Sequence, residues 1–512
     1  MSRKWRSLVG VALLAMAGMG TAGTGGAVAA AAQSGGNMTV LISTGGLTAW
    51  PGLDPLTTSV ANGDYRDSIY GQLFEEGAHN NVVGGLAKSY KLSADGKTLT
   101  IHLRSNIKFS DGTPLDAAAV QFNLQRDFLP ANACQCLSNF KDVSSVTTSG
   151  TDTVVLHLSA PDPSIVPAFI AEAPNWIASP TALKKQGAAN FAQHPVGAGP
   201  FVVSSNIPSQ KLVLSKNPTY YQKGHPFLNS ATFEAVGSDQ SALSGLQANS
   251  GQMVEGVTTT PLIVQAKKSF NVIPVAPTAV WFLDFDATVA PFTNPLAREA
   301  IEYATDSKSI DKALYDNLLP ADEGPEASGA LFFDPTVPGY RAYNPPKAAA
   351  LVKKLGGLKV TIMTGPELVD EQATSAMKAM WSKVGIDVTA INAVQLPNLI
   401  KNYGDHNWQL YYGFVPGGLD PASTLSLFYT PTGPETGVND PTLTSMLAKA
   451  ATNLDMSSRA KQYHAISAYI NKNAYSDFLY QNETFFIASK NVAGIPAGRT
   501  FINWANVSLS GQ

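Results

Sequence analysis

Two stretches in the first half of the chain alternate strictly between apolar and polar positions. Their apolar positions are Leu99, Ile101 and Leu103 in one stretch and Val154, Leu156 and Leu158 in the other. A period of two places all the apolar side chains of a strand on one face. The pattern therefore predicts strands of a sheet that is covered on a single side, as is typical of antiparallel sheets.

Between those strands the period changes to that of a helix. Ser110-Asp111-Gly112 predicts a tight turn, because glycine tolerates the positive φ that such turns often need. Thr113, Pro114 and Asp116 then have the order of an N-cap, a proline at the first helical position and an acidic third residue. Apolar residues follow at helical spacing at Ala117, Val120, Leu124 and Phe128. We therefore expect a strand, a turn and a capped helix.

The second half of the chain alternates strands with helices. The pattern predicts strands at 358–363, 386–391 and 408–415, and helices at 367–384 and 396–403. A β-α-β-α-β order requires parallel pairing with right-handed crossovers. This half is therefore expected to be a parallel α/β unit.

The first 32 residues have the order of a secretory signal. A basic start is followed by an apolar core at Leu8–Met16 and by two small-x-small cleavage patterns that end at Ala29 and Ala32. The core is shorter than the roughly 20 apolar residues of a membrane anchor. No cysteine lies at the end of the signal, where a lipid anchor would be attached. We therefore expect a secreted protein, periplasmic or extracellular, without a lipid anchor.

Charge and length narrow the class of protein. The 512 residues are enough for about three domains. Removing Arg3, Lys4 and Arg6 with the signal changes the formal charge from -3 to -6, because three positive charges are lost. A mildly acidic chain has no basic surface for nucleic acid, so no nucleic-acid partner is expected.

Signatures of catalysis and of metal binding are missing from the sequence. Neither G-x-S-x-G nor H-E-x-x-H occurs. Cys134 and Cys136 have no histidine near them, so we interpret them as ordinary thiols or a small surface disulfide rather than a metal or redox site. Asp284 and Asp286 share a strand face, and a hydrogen-bonded structural pair is favoured over acid/base chemistry. We expect no cofactor and no metal.

The strand at 408–415 is the best candidate for a binding surface. It carries Trp408, Tyr411, Tyr412 and Phe414 and ends at the loop PGGLDP. Ligands of open α/β sheets bind beyond the carboxyl ends of the strands, where aromatic side chains can line a pocket. A buried strand with aromatic core residues would show the same pattern, and periodicity does not separate the two interpretations.

Several motifs together resemble one known family. Residues 84–126, which contain LRSNIKFSDGTPLDAAAV, are similar to the hallmark segment of the family 5 extracellular solute-binding proteins. These are the peptide- and nickel-type receptors of ABC importers. Further similarities follow in the family's order at HPVGAGPF (194–201), LSKNPTYYQKGHPFLN (214–229), PFTNPLAREAIEYATDSKSI (291–310), LDP (419–421) and ATNLDMSSRAKQYHAISAYI (451–470).

The resemblance implies an α/β, two-lobed periplasmic-binding-protein fold of the cluster C type, with a hinge and an extra inserted domain. Lobe I is expected to be discontinuous and lobe II to contain the β-α-β-α-β core. The expected ranges are 1–32 for the signal, 38–62, 196–275 and 484–512 for lobe I, 63–195 for the inserted domain and 276–483 for lobe II.

The resemblance also implies ligand-binding positions. In peptide-binding relatives the strand before the D-P loop ends with an aromatic residue, which here is Phe414. Three positions later an aspartate pairs with the peptide ammonium, but this chain has Gly417. Some relatives hold the peptide carboxylate with an arginine three positions before the aromatic residue, where this chain has Tyr411. Both charged anchors are therefore missing, and a shifted loop would offer Asp420 instead.

The candidate ligand contacts are thus led by Phe414. Tyr411, Tyr412 and Trp50 are weaker candidates, and Gly417 and Asp420 complete the set. In this register Gly417→Asp should restore affinity for peptides with a free amine.

The implied function is a receptor without catalytic activity. It would capture a small solute by hinge closure and deliver it, as a monomer, to the permease and ATPase of an ABC importer. Peptide is the leading ligand class. An oligosaccharide or another uncharged solute is the alternative, and a nickel chelate has no support in the residues. The contrasting classes are a secreted hydrolase and a sensor or chaperone that does not serve import.

Overall fold

The computed structural model describes residues 34–44, 50, 52–57, 64–77, 80–170, 172–257, 259–415, 417–431, 433 and 437–510. The expected signal at 1–32 and part of the expected lobe I segment at 38–62 lie outside these ranges. Within them, no helix is both long enough and apolar enough to cross a membrane.

One sheet of seven strands forms the core of lobe I. The spatial order is β12 (Asn271–Pro274), β18 (Phe485–Ala488), β11 (Met253–Val257), β1 (Asn37–Ser43), β10 (Ser230–Val236), β9 (Lys211–Lys216) and β8 (Phe201–Ile207). The central strands β10, β1 and β11 are parallel, and the outer pairs are antiparallel.

Helices cover both faces of this sheet because β1 buries side chains in both directions. Leu41 packs with α6 (Asp239–Gln247) and α7 (Thr260–Ala266) on one face. Val40 and Ile42 pack on the other face with three helices and two short C-terminal strands. These elements are α1 (Asp64–Tyr70), α4 (Pro180–Gln186), α5 (Ala188–Phe191), β19 (Val492–Ala493) and β20 (Ser508–Leu509).

An inserted unit follows α1 in the chain. Its antiparallel sheet has four strands in the order β4 (Ala87–Leu92), β5 (Thr98–Leu103), β7 (Thr153–Leu158) and β6 (Val143–Ser149). The apolar positions of β5 and β7 are buried, whereas His102 is exposed, so the predicted one-sided strands are present. The remaining elements of the unit are β2 (Phe74–Glu76), β3 (Val82–Gly84), α2 (Ala117–Asp127) and α3 (Ile165–Phe169).

The start of α2 differs from the sequence prediction. Asp116, rather than Thr113, is the N-cap, and its side chain accepts a hydrogen bond from the Ala119 amide at 2.9 Å. The Thr113 amide instead donates to Asp111 Oδ1 at 2.9 Å, and Pro114 pairs with Lys108 in an isolated β-bridge. These contacts keep residues 113–114 extended, so the helix begins three residues later than expected.

Lobe II contains a sheet of five strands. The order is β15 (Ile386–Ala393), β14 (Leu358–Thr364), β16 (Leu410–Val415), β13 (Val280–Phe285) and β17 (Ser476–Gln481). Strand β14 is parallel to both β15 and β16, as the β-α-β-α-β pattern predicted. One face packs against α8 (Pro295–Ala304), α9 (Ser307–Leu314), α10 (Pro345–Lys354) and α11 (Leu368–Ser382). The other packs against α12 (Leu396–Gly404), α13 (Ala422–Tyr429), α14 (Pro441–Ala451) and α15 (Met456–Lys472).

Two crossing segments, 275–279 and 482–484, connect the lobes. The Val275 amide donates to the Thr484 carbonyl at 3.0 Å, and the Asn482 amide donates to the Ala279 carbonyl at 2.9 Å. The two segments therefore form one short antiparallel ribbon. Because both lobes continue from it, this ribbon is the hinge of the two-lobed α/β fold that the sequence predicted.

The two cysteines are bonded to each other in the core of the inserted unit. Cys134 and Cys136 form a disulfide, and they are 5% and 0% exposed. The expectation of a small surface disulfide was therefore wrong about its position, because the loop that carries it folds into the core that contains Phe140.

Buried carboxyl groups should make stability fall with rising pH. Glu326 in lobe II accepts a hydrogen bond from Ser467 Oγ at 3.0 Å, and its other oxygen has no partner among the described residues. Burial raises the pKa of Glu326 to about 8. The unfolded chain therefore releases this proton near its ordinary pKa while the folded protein retains it, so stability decreases between about pH 5 and pH 8.

We expect Glu326→Gln to flatten this decrease. One proton contributes about 1.4 kcal/mol per pH unit, which sets the largest possible difference in slope between the variant and the wild type. Urea unfolding at pH 5, 6, 7 and 8 measures it. Glu371→Gln, an exposed position on α11, is the matched control and should keep the wild-type slope. Equal slopes for Glu326→Gln and the wild type would contradict the prediction.

Candidate functional site

Strand register places the carboxyl ends of the parallel strands of both lobes at the hinge. In lobe I, Val257 at the end of β11 pairs with Phe485, which follows one crossing segment. In lobe II, Val415 at the end of β16 pairs with Val280, which follows the other. The crevice in which open α/β sheets bind their ligands is therefore the cleft between the lobes.

The aromatic residues of β16 point to opposite faces of the sheet. The Tyr411 ring packs beside Tyr403 and Phe282, and only 8% of the residue is exposed. Tyr412 lies on the other face, is fully buried, and its hydroxyl is 2.6 Å from that of Tyr480. Tyr411 and Tyr412 therefore cannot line one pocket, and in this structure both are core residues.

Phe414 is the aromatic residue of β16 with an open face. It is 43% exposed, and its ring centroid lies 5.6 Å from that of Trp281 on the neighbouring strand. Trp281 donates its indole N–H to Asn482 Oδ1 in a crossing segment at 3.2 Å. Trp281 was not foreseen from the sequence, although its cross-strand position beside Phe414 follows from the register. The two rings form an aromatic surface at the hinge end of lobe II.

Gly417 lies against the backbone of the hinge. A Cβ built on it would be 1.2 Å from the Thr278 carbonyl oxygen. No side chain fits there without a shift of the loop, so Gly417→Asp cannot supply the ammonium anchor of the peptide-binding relatives in this arrangement. The clash therefore opposes the gain in affinity that was expected from that substitution.

Asp420 is committed to a buried ion pair. Its carboxylate receives two hydrogen bonds from Arg459 of α15, one from Nη2 at 2.9 Å and one from Nη1. The two residues are 7% and 0% exposed, and Arg459 Nε also donates to the Ala450 carbonyl at 2.9 Å. Asp420 is therefore already neutralised and is not a free anchor for a ligand ammonium.

Trp50 is a core residue of lobe I. It is fully buried, and its indole N–H donates to Asn206 Oδ1 at 3.2 Å. It offers no surface to a ligand in this structure. Asp284 and Asp286 are likewise held internally, by Ser476 at 2.9 Å and His406 at 2.8 Å.

A cavity of about 910 Å³ lies between the inserted unit and lobe II. Its walls are segments 138–172 and 417–452, and it includes Gly417, Gly418 and Asp420. The facing wall carries Asp142, Asp162 and Glu172. Sequence reasoning did not find these acids, because they are scattered along the inserted unit and only the fold places them on one wall.

Burial changes the pKa values of two acids on this wall. It raises the pKa of Asp162, and the nearby charges of Asp420 and Asp142 raise it further. Burial also raises the pKa of Glu172, against the lowering effects of a hydrogen bond from Asn139 and the positive charge of Arg66. No group of three or more histidine, cysteine or acidic residues in the described ranges could hold a metal ion.

A second cavity, of about 890 Å³, lies at the open edge of the lobe II sheet. Its lining includes Asn392, Asn402, His406 and Gln409. It does not include the loop at 417–420 or the crossing segments, so it is separate from the cleft.

Residues 81–436 match the family model described as bacterial extracellular solute-binding proteins, family 5 Middle. The chain belongs to this family. Because this family consists of bacterial extracellular solute-binding proteins, the protein is a solute-binding receptor and not an enzyme. The family, the fold class and the receptor function expected from the sequence motifs are thereby confirmed.

Known relatives show how far the similarity extends. The chain is 28% identical over 405 residues to the glutathione-binding protein GsiB of Escherichia coli O6:K15:H31, covering 77% of this chain and 74% of that protein. The fold matches NikA from Brucella suis in complex with Fe(III)-EDTA, with a TM-score of 0.82, 18% identity and coverage of 92% and 100%. It also matches DppA from Helicobacter pylori in complex with the peptide STSA, with a TM-score of 0.73, 21% identity and coverage of 94% and 99%.

Two neighbouring glycines test the contact between the loop and the hinge. Gly417→Ala should destabilise the protein by about 1–3 kcal/mol, because its Cβ overlaps the Thr278 carbonyl. Gly418→Ala is the matched control, since its Cβ would be 3.7 Å from the nearest atom, the Asp420 carbonyl oxygen. Urea unfolding measures both variants. Equal stabilities of the Gly417→Ala and Gly418→Ala variants would contradict the close contact between the loop and the hinge.

Proposed function

We propose that this protein captures a peptide or a peptide-like solute in the cleft between its lobes and delivers it to the permease and ATPase of an ABC importer. The observation that carries the proposal is the open face of Phe414 beside Trp281 at the hinge. An exposed aromatic ring at the carboxyl end of β16, next to Trp281 on the antiparallel strand β13, suits the apolar part of a solute that is enclosed on closure.

The relatives support a peptide-like ligand. GsiB is described as glutathione-binding, and the DppA structure contains a peptide, so small solutes with amide bonds are the first class to examine. The acidic wall formed by Asp142, Asp162 and Glu172 suits a ligand that carries an ammonium group. An uncharged oligosaccharide remains the second candidate, because the Phe414–Trp281 surface would also suit a sugar ring.

Hinge closure supplies the transport signal in this proposal. A solute that contacts both lobes binds the closed form better, and that difference in affinity shifts the equilibrium towards closure. The permease then distinguishes the loaded receptor from the empty one by its shape.

Replacing Phe414 should weaken binding without unfolding the protein. Titration calorimetry with reduced glutathione and with the peptide Ser-Thr-Ser-Ala measures the affinity, and small-angle scattering measures compaction. We expect at least a tenfold loss for Phe414→Ala, which is about 1.4 kcal/mol, with stability almost unchanged because the side chain is 43% exposed.

Tyr412→Phe is the matched control on the same face of the same strand. It removes the hydroxyl that meets Tyr480, so it should cost about 1 kcal/mol of stability and leave affinity as it was. Equal affinities for Phe414→Ala and the wild type would show that the ligand binds elsewhere. Unchanged scattering radii at saturation would argue against closure.

We further propose that the protein is exported by cleavage after Ala29 or Ala32 and acts as a monomer. The mature protein should then begin near residue 30 or 33 and keep its monomeric mass when it binds ligand. N-terminal sequencing and light scattering of the exported protein measure both properties. An intact Met1 on the exported form would exclude cleavage, and a dimeric mass would exclude the monomer.

A further inference from the structure

Uncharged polar side chains line the cavity at the open edge of the lobe II sheet. This edge cavity has a volume of about 890 Å³, which is within the range of small-molecule sites. None of the described residues in its lining is an aspartate, a glutamate, a lysine or an arginine. The edge cavity therefore differs in chemistry from the cleft, whose wall is acidic. Its polar side chains include those of Thr361, Asn392, Asn402, His406, Asn407 and Gln409.

Two of these side chains are held in fixed orientations. Gln409 Oε1 accepts a hydrogen bond from the Thr361 amide at 2.8 Å, and Gln409 Nε2 donates to the Ala290 carbonyl at 2.9 Å. His406 Nδ1 lies 2.8 Å from Oδ2 of the fully buried Asp286. Because a carboxylate only accepts hydrogen bonds, Nδ1 is the donor, and Nε2 of the neutral ring is left as an acceptor. The His406 side chain is 44% exposed and lines the edge cavity.

Three asparagine side chains keep hydrogen-bonding groups for a ligand. Asn407 Nδ2 donates to Asn402 Oδ1 at 3.4 Å, and Asn402 Nδ2 donates to the Met363 sulfur at 3.6 Å. Both bonds are weak, because the first is long and a thioether sulfur is a poor acceptor. In the described part of the chain, the Asn392 side chain and Asn407 Oδ1 have no hydrogen-bond partner. Donors and acceptors are therefore both present at this wall.

A buried indole group belongs to the same lining. Trp408 is 5% exposed, and its ring packs beside Tyr403 with 4.5 Å between the centroids. Its N–H has no hydrogen-bond partner among the described residues. Buried donors are nearly always bonded in proteins, because an unsatisfied donor keeps its full desolvation penalty. Trp408 lines the edge cavity, so an acceptor supplied from that cavity would satisfy it.

We propose that the edge cavity is a second binding site, which takes a neutral saccharide. Sugar hydroxyl groups donate and accept hydrogen bonds, as the asparagine side chains do, whereas His406 Nε2 accepts and the Trp408 indole donates. The C–H groups of a sugar ring find apolar contacts at Val289, Met363 and Ile391, which also line the cavity. An ionic solute would lose hydration there without meeting an opposite charge, so the lining selects against it. This site is separate from the cleft, and the cleft solute and the saccharide bind independently.

Titration calorimetry with maltose, cellobiose and trehalose measures the affinity of the edge cavity. We expect at least one of these disaccharides to bind the wild type. The double variant Asn392→Ala/Asn407→Ala should bind it at least tenfold more weakly, because two hydrogen-bonding partners are removed. Asn398→Ala, at an exposed position of α12 outside the lining, is the matched control and should keep the wild-type affinity. Equal affinities for the double variant and the wild type would overturn the proposal.

Co-sedimentation with insoluble cellulose and chitin distinguishes a glycan surface from a free sugar as the source of the saccharide. Retention of the wild type, but not of the double variant, would support the site and identify a polymer as its ligand. Binding of a disaccharide without retention would support the site and identify a free sugar. Failure of all three disaccharides and both polymers to bind would overturn the proposal.

Fluorine NMR locates the bound saccharide. In protein labelled with 5-fluorotryptophan, the signals of Trp408 and Trp281 are assigned from Trp408→Phe and Trp281→Phe. A saccharide should shift the Trp408 signal and leave that of Trp281, which lies beside Phe414, unchanged. A shift of the Trp281 signal alone would place the saccharide in the cleft and overturn the second site.

The edge cavity and the cleft can fail independently. Phe414→Ala should keep the wild-type affinity for the disaccharide within twofold, and the double variant should keep the wild-type affinity for glutathione and Ser-Thr-Ser-Ala within twofold. If the disaccharide binds as expected but glutathione and the peptide do not bind, the second site stands and the peptide ligand of the cleft is wrong. If the peptides bind and no saccharide does, the receptor function stands and the second site is wrong.

Discussion

The buried ion pair between Asp420 and Arg459 fixes the loop on which the cleft depends. Both charges have left water, so their attraction largely offsets desolvation and the pair adds little net stability. Its effect is positional, because removing either partner would leave the other charge buried alone, at a cost of about 3–5 kcal/mol. The pair joins the loop after β16 to α15, and the same loop is in close contact with the hinge at Gly417 and Thr278. The loop is thus held on both sides, by α15 and by the hinge.

Strand register explains why the binding surface that we propose contains Phe414 and not its neighbours. With a period of two, Tyr412 and Phe414 share a face, and Tyr411 points away into the core between β16 and α12–α15. Helices α8–α11 cover Tyr412 because it lies farther from the hinge, whereas the sheet ends at Phe414 and leaves its ring open. The same geometry joins Trp281 to the crossing segment through Asn482. The aromatic surface is therefore bonded directly to the hinge.

Periodicity was sufficient for elements whose burial depends on one face. It predicted β5, β7 and the parallel run of β15, β14 and β16, because each of these elements buries side chains in the periodic pattern of its own secondary structure. It also contained the evidence that Tyr411 and Tyr412 diverge. It failed where local side-chain bonds compete, as at Asp111, whose bond to the Thr113 amide delays α2. It could not find the acidic wall, because Asp142, Asp162 and Glu172 are separated in sequence and only the fold places them together.

The acidic side chains on one wall of the cavity affect the balance between the open and the closed form in the mechanism that we propose. On the lobe II side the cavity contains Gly417 and Asp420, which Arg459 neutralises, whereas the inserted unit presents Asp142, Asp162 and Glu172. In the empty protein such charges are unfavourable in proportion to their burial, which opposes closure. A solute that supplies the opposite charges removes this penalty only when the cleft is shut and water is excluded. In the mechanism that we propose, the acids that are costly without ligand therefore favour the closed form once a solute supplies an ammonium group, whereas a solute without one leaves the penalty in place.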